Sequence, residues 1–236
     1  MSKPMKRGAI FGIILLVSVV INVTIALLLK NSDAFLFKFI IDLFLSIITY
    51  VSSIFYIIGF IVLAKRTNIK LLKVVNYISL IFIIIGIIVS IPLGIYNIYI
   101  AATNPDLLIN TKLGPSLNET ANALNLNQTN KISPEIASTI LGSMIALIFG
   151  LLFLAFLLII GLITLMVLGG VGLIKLGKEF PLAKITGILE IVAIGLALTI
   201  IGIIFAIPLA FAVSIMKIVL LFQASKKYEK TKIKIK

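Results

Sequence analysis

The side chains best suited to take part in chemistry are ionisable groups inside long apolar runs: Glu190, Lys38 and Asp42. A charge inside a membrane segment is costly, so it marks an ion or proton path or is neutralised by a partner. Lys38 and Asp42 are four residues apart, one helical turn, and are expected to form a neutral structural couple. Glu190 is expected to snorkel to the interface or to bridge to a connector lysine such as Lys184, with a proton relay as the alternative.

The composition removes most other site chemistry. The 236 residues include no Cys, His or Trp, so disulfides, thiol nucleophiles, imidazole catalysis and the usual haem, iron-sulfur, copper and structural zinc ligands are excluded. The sequence also has no paired carboxylates and no Gly-rich phosphate loop. We therefore expect no cofactor and no enzymatic activity, and an intramembrane enzyme is the least favoured hypothesis.

The elements that must carry these residues are long apolar helices. With 61% hydrophobic residues and a mean hydropathy of +1.26, a soluble core could not hide the apolar surface. In hydrocarbon such runs can satisfy their backbone only as helices. We predict an all-α, multi-pass protein of the cell membrane with five long transmembrane helices, in the runs 8–29, 35–64, 74–102, 136–174 and 185–222.

The runs suggest an order of segments. An N-terminal helix (1–33) precedes a first helix pair (34–102), an exposed polar loop (103–135), a second helix pair (136–222) and a basic tail (223–236). Residues 84–93 and 200–209 match at eight of ten positions and share a Gly and a Pro at the same spacing. This repeat predicts that the two helix pairs form a parallel tandem.

The distribution of cations gives conflicting topologies. Lysines and arginines lie before the first run, in the connectors 65–73 and 175–184, and in the tail, and such clusters favour the cytoplasmic side. Five spans would put the tail outside. A fold-back of the fifth run near Pro208 would give six spans and a tail inside, but its second arm would be only about 15 residues, short of the usual ~17 to 25. Five spans is the primary prediction and six the alternative.

The polar loop 103–135 has few cations beside two Lys-rich connectors, so we expect it outside the cell. It contains two sequons, at Asn118 and Asn127, which are candidate glycosylation sites. Ser133 and Pro134 predict a helix start there, with the proline in the first turn.

Small residues at helical spacing predict where helices pack, because they let backbones approach closely in lipid. Gly8 and Gly12 form such a pair in the first run. Two longer stripes occupy the fourth and fifth runs, and the expected packing positions are Gly142, Ala146, Gly150, Gly195, Gly202 and Ala206.

The pattern of Ile- and Gly-rich runs joined by short Lys connectors, most clearly over residues 175–202, resembles uncharacterised multi-spanning membrane proteins of thermophilic archaea. The resemblance bears on origin alone. It implies no activity and no site residue.

Two functional hypotheses follow. The first is a non-catalytic structural or assembly subunit packed through small-residue helix faces; the second is a small-solute or ion channel or transporter with a path between the helix pairs. Sparse intramembrane charge favours the first. The expected partners are the lipid bilayer, other membrane subunits or a second copy of the chain, and anionic lipid at the basic tail. Despite a formal charge of +13, nucleic acid is not an expected partner.

Overall fold

The structure is a computed structural model that describes residues 3–29, 35–103, 134–199 and 202–233, with residues 134–148 described as backbone helix only. In this part of the chain there are six helices and no strand. They are α1 (Lys3–Leu28), α2 (Phe35–Arg66), α3 (Lys70–Thr103), α4 (Pro134–Leu176), α5 (Pro181–Ala197) and α6 (Gly202–Ile233). The sequons at Asn118 and Asn127 lie outside the described residues. Gly142 and Ala146 are described only as helical backbone, so their predicted packing lies outside the described contacts.

The all-α membrane class is confirmed. Five helices, all except α5, are long and apolar enough to cross a bilayer. Helix α5 has 17 residues, about 25 Å at 1.5 Å per residue, close to the shortest length that spans a hydrocarbon core. Helix α4 begins at Pro134, as the proline predicted.

The fifth apolar run is two helices, and the prediction of one continuous helix is wrong for this segment. Helix α5 ends at Ala197, and α6 begins at Gly202. Thr199 favours the break, because its hydroxyl donates to the Leu196 carbonyl at 2.9 Å and accepts from the Gly202 amide at 3.1 Å. It thereby ends one helix and caps the next. Pro208, where the alternative prediction put the fold-back, lies inside α6.

Helices α5 and α6 pack against each other as an antiparallel hairpin. At the open end of the hairpin, the rings of Phe180 and Tyr228 are edge to face with centroids 6.4 Å apart. The Lys227 ammonium lies 3.4 Å from the Glu179 carboxylate. The start of α5 and the end of α6 therefore lie at the same end, which removes the conflict over the basic tail.

The other cationic segments meet at this same end. Met5 and Ala9 at the start of α1 belong to one buried core cluster with Leu63, Leu176 and Ala224, at the ends of α2, α4 and α6. We call the cation-rich segments 3–7, 65–73, 175–184 and 226–230 the basic end. Two helices separate each of these segments from the next along the chain, which is the arrangement that the positive-inside rule prefers.

Close backbone contacts hold α1 against α2. A Cβ atom added to Gly8 would lie 2.9 Å from the Cα atom of Gly59, and one added to Gly12 would lie 2.8 Å from the Tyr56 ring. The contact face predicted at Gly8 and Gly12 is confirmed. A similar approach joins α4 to α5, where a Cβ on Gly170 would lie 3.0 Å from the Gly187 carbonyl oxygen.

The chain divides into two compact units, Met1–Asn97 with Ile163–Lys236, and Ile98–Leu162. The second contains the end of α3 and the first part of α4. Most of its described apolar side chains, such as Phe149, Phe153 and Phe156, are exposed. Such an apolar surface needs a lipid or protein covering. The core cluster and the site described below belong to the first unit.

The glycine contact predicts the effect of one substitution. Gly8→Leu should lower the stability of the protein in detergent by about 1–3 kcal/mol, the usual cost of overpacking, since the new side chain meets the α2 backbone. Gly161→Leu is the matched control, because a Cβ there meets no described atom within 4 Å. Unfolding followed by circular dichroism measures both; equal midpoints would contradict the contact.

Candidate functional site

The most unusual polar contact in the structure joins α5 to α6 inside the helix bundle. The Lys217 ammonium donates to Oε1 of Glu190 at 2.5 Å. Glu190 is 7% exposed, so its carboxylate is screened from solvent. The predicted partner, Lys184 in the connector, is replaced by a lysine on the facing helix, because the hairpin turns Lys217 toward Glu190.

The ion pair lies well away from the ends of the α5–α6 hairpin. Glu190 comes nine residues after Pro181 at the basic end, about 14 Å along α5, and a hydrocarbon core is ~30 Å thick. At that depth a single charge would be strongly unfavourable, whereas a contact pair carries no net charge. Neutralisation by Lys217 therefore explains how the buried carboxylate is accommodated, and the position of Glu190 relative to the membrane interface stays a prediction.

The pair borders a partly open cavity of about 310 Å³. Its walls come from the first helix pair, α2 and α3, from α4, α5 and α6, and from Leu15 of α1. The lining is largely apolar, and its polar members are Ser53, Tyr56, Asn76, Ser79, Glu190 and Lys217. A mostly apolar cavity of this size with a few convergent polar groups is typical of a small-molecule site.

Hydrogen bonding leaves acceptor atoms at the cavity. Oε2 of Glu190 accepts no hydrogen bond from the residues that the structure describes. The amide nitrogen of Asn76 donates to the Leu72 carbonyl at 2.6 Å, which commits a donor and leaves the side-chain oxygen as an acceptor. A buried carboxylate oxygen without a partner is unfavourable. The carboxylate oxygen itself is inaccessible, so the acceptor that the cavity wall offers to a hydrogen-bond donor, water included, is the side-chain oxygen of Asn76.

The other predicted polar residues do not join this site. Lys38 and Asp42 are half-buried in α2, and neither takes part in an ion pair within 4.0 Å in the described part of the chain. The expected couple is therefore not formed. Near the start of α2 both groups keep partial access to the surroundings, which lowers the penalty that pairing would relieve.

The predicted small-residue positions have different environments. Ala206 is buried, and a Cβ on Gly202 would meet Leu196 and Thr199, its neighbours at the turn. A Cβ on Gly150 or Gly195 would meet no described atom within 4 Å. Because α5 ends at Ala197, Gly195 and Gly202 are on different helices, and the single stripe predicted through them is divided. Packing at Gly150 and Gly195 stays a prediction.

Sequence reasoning missed the contributions of Ser53, Tyr56, Ser79 and Lys217 to this site. One signal was present, since Glu190 and Lys217 are the only charges in the run 185–222 and have opposite signs. The cavity itself left no sequence signature. Among the described residues, no group of three or more acidic side chains could share a metal ion.

Comparison of the chain with protein families, with curated proteins and with solved structures gives no match in any of the three. The inference of function therefore rests on the geometry of the site.

Removing one charge of the Glu190–Lys217 pair should lower the stability of the fold more than removing both. Lys217→Gln should destabilise the fold by about 3–5 kcal/mol, because it leaves the buried Glu190 charge unpaired. Glu190→Gln should destabilise it less, because the Lys217 side chain is partly exposed, and the double variant should recover part of the loss. Unfolding of all four proteins in detergent gives the coupling. Glu179→Gln serves as control: its pair with Lys227 is exposed and should contribute about 0–1 kcal/mol. Additive losses at Glu190 and Lys217 would contradict the pairing.

Proposed function

We propose that this polytopic membrane protein binds a small polar solute in the cavity between its helix pairs and passes it across the cell membrane. The observation that carries the proposal is the partly open cavity of about 310 Å³ lined by the Glu190–Lys217 pair. This is the channel or transporter hypothesis of the sequence analysis, and the position of the cavity between α2 with α3 and α4 to α6 now favours it over a scaffold. The proposed activity is non-catalytic.

The charges at the cavity favour an uncharged solute. Glu190 and Lys217 already compensate each other, so an entering ion would add an unbalanced charge in a region of low dielectric constant. A neutral solute that donates hydrogen bonds would instead find an acceptor in the side-chain oxygen of Asn76, whose amide nitrogen is already engaged. Small polyols and amides have this chemistry and fit the volume.

The cavity offers a matched pair of variants for testing transport. Ser79 lines it, whereas Ile81, two residues further along α3, is 55% exposed. In proteoliposomes, osmotic swelling in glycerol or urea should be faster than in protein-free vesicles. Ser79→Phe should abolish the increase by filling the cavity, and Ile81→Phe should preserve it.

Stopped-flow light scattering measures the swelling rate. No increase with the unmodified protein for either probe would contradict solute passage, and so would equal rates for the two variants. If the protein instead increased the swelling rate in a salt of a monovalent cation, and Glu190→Gln removed that increase, the path would be one for ions.

The assembly-subunit hypothesis is favoured by one separate observation. Gly195 is exposed on α5, with open space at its Cβ position and exposed apolar neighbours Val192 and Leu198. Small residues on such a face are suited to a second helix from another chain.

The chain has no Cys, so an introduced thiol reports this contact without background. Gly195→Cys should form a disulfide-linked dimer in membranes under mild oxidation if a second copy packs there. Ile204→Cys on α6, 71% exposed, is the control and should not. Absence of the Gly195→Cys dimer would argue against self-association through this face.

A further inference from the structure

The basic end concentrates exposed positive charge at one end of the bundle. Every lysine and arginine in 3–7, 65–73, 175–184 and 226–230 is exposed, and these segments contain only the acids Glu179 and Glu229. Glu179 is engaged by the Lys227 ammonium and by the Tyr228 hydroxyl, which donates to its carboxylate at 3.0 Å. The other connectors, 29–34 and 104–133, each have equal numbers of acidic and basic residues. They therefore contribute nothing to the excess of positive charge that the basic end carries.

The surroundings of these cations place them at the level of lipid headgroups. They follow or precede apolar helices that can cross a membrane, and several lie over aromatic rings. The Lys65 ammonium is 5.9 Å from the centre of the Tyr77 ring, and the Arg66 guanidinium is 5.6 Å from that of Tyr228. Tyrosine at helix ends is typical of the membrane interface, where its ring lies among headgroups. The cations therefore have the surroundings expected at the level of lipid phosphates.

We infer that the basic end is a composite binding surface for anionic phospholipid headgroups, formed by four chain segments that only the folded bundle brings together. Cations at this level attract anionic lipids, and each contributes separately. A nucleic acid would also be attracted by the charge, but it would have to compete with lipids that the apolar helices hold next to the same side chains. The inference is independent of the cavity and of solute passage.

Because the chain has no Trp, a single introduced Trp reports on the lipid beside it. Tyr77→Trp reports from the basic end and Tyr96→Trp from the far part of the same helix, 19 residues or about 28 Å away. Both positions are exposed, at 38% and 58%. The full-length protein is reconstituted in phosphatidylcholine vesicles with brominated phosphatidylglycerol or brominated phosphatidylcholine, and quenching of Trp fluorescence gives the local preference.

Quenching at Tyr77→Trp should favour the brominated anionic lipid by about fivefold, the ratio expected for one cation at the headgroup level. Tyr96→Trp should show no preference. Replacing Lys65, Lys70 and Lys73 together by Gln should remove most of the preference at Tyr77→Trp, because Lys65 is the cation over this ring. Without any charge substitution, raising the salt from about 0.01 M to about 1 M should also weaken it, because the screening length falls from about 30 Å to about 3 Å.

Equal preference at Tyr77→Trp and Tyr96→Trp would overturn the inference, and so would a preference that survives both the lysine substitutions and high salt. Nucleic acid that co-purifies with the protein and abolishes the preference until nuclease treatment would assign the surface to a different polyanion. Either result would leave the swelling experiment on the cavity unaffected.

Discussion

A carboxylate in the middle of a membrane protein needs a counter-charge within reach, and in this fold the α5–α6 hairpin provides it. Glu190 and Lys217 are 27 residues apart in the chain, and they meet because α6 runs back along α5. In water such a pair would contribute little. Inside the bundle the loss of either member leaves an isolated charge. The pair therefore stabilises the one position of α6 along α5 in which Glu190 and Lys217 meet.

The same fold-back organises the charges at the membrane surface. Had the fifth run been one helix, the basic tail and the connector 175–184 would lie at opposite membrane faces. The break at Thr199 instead returns the tail to the connector, where Lys227 meets Glu179 and Tyr228 packs on Phe180. Close glycine contacts between α1 and α2 complete the arrangement by bringing the N-terminus to the same end. A local cap and a few small residues thus bring the cation-rich segments to one end of the bundle.

The cavity and the basic end divide the polar chemistry of the protein into two regions. In the cavity the charges of Glu190 and Lys217 cancel, and the lining is largely apolar with a few uncharged polar groups such as Asn76, which suits a neutral solute. At the basic end the charges add, and their side chains are exposed, where anionic groups can compensate them. Charge balance inside and charge excess at the interface follow from the same electrostatic cost of burying an ion.

The sequence alone determined the class, because hydropathy and the need to satisfy backbone hydrogen bonds in lipid depend on local composition. It also determined the start of α4 at Pro134 and the contact face at Gly8 and Gly12. It could not determine the break in the run 185–222, since Thr199 is an ordinary residue in membrane helices and Pro208 is the more obvious breaker.

Only the tertiary structure decided that Glu190 pairs with Lys217 rather than Lys184, and that Lys38 and Asp42 do not pair. The partner of a side chain depends on which helices are neighbours. That choice is made by close packing among many residues, so no short stretch of sequence contains it. The cavity is the extreme case, because it is formed by side chains from all six helices and belongs to none of them.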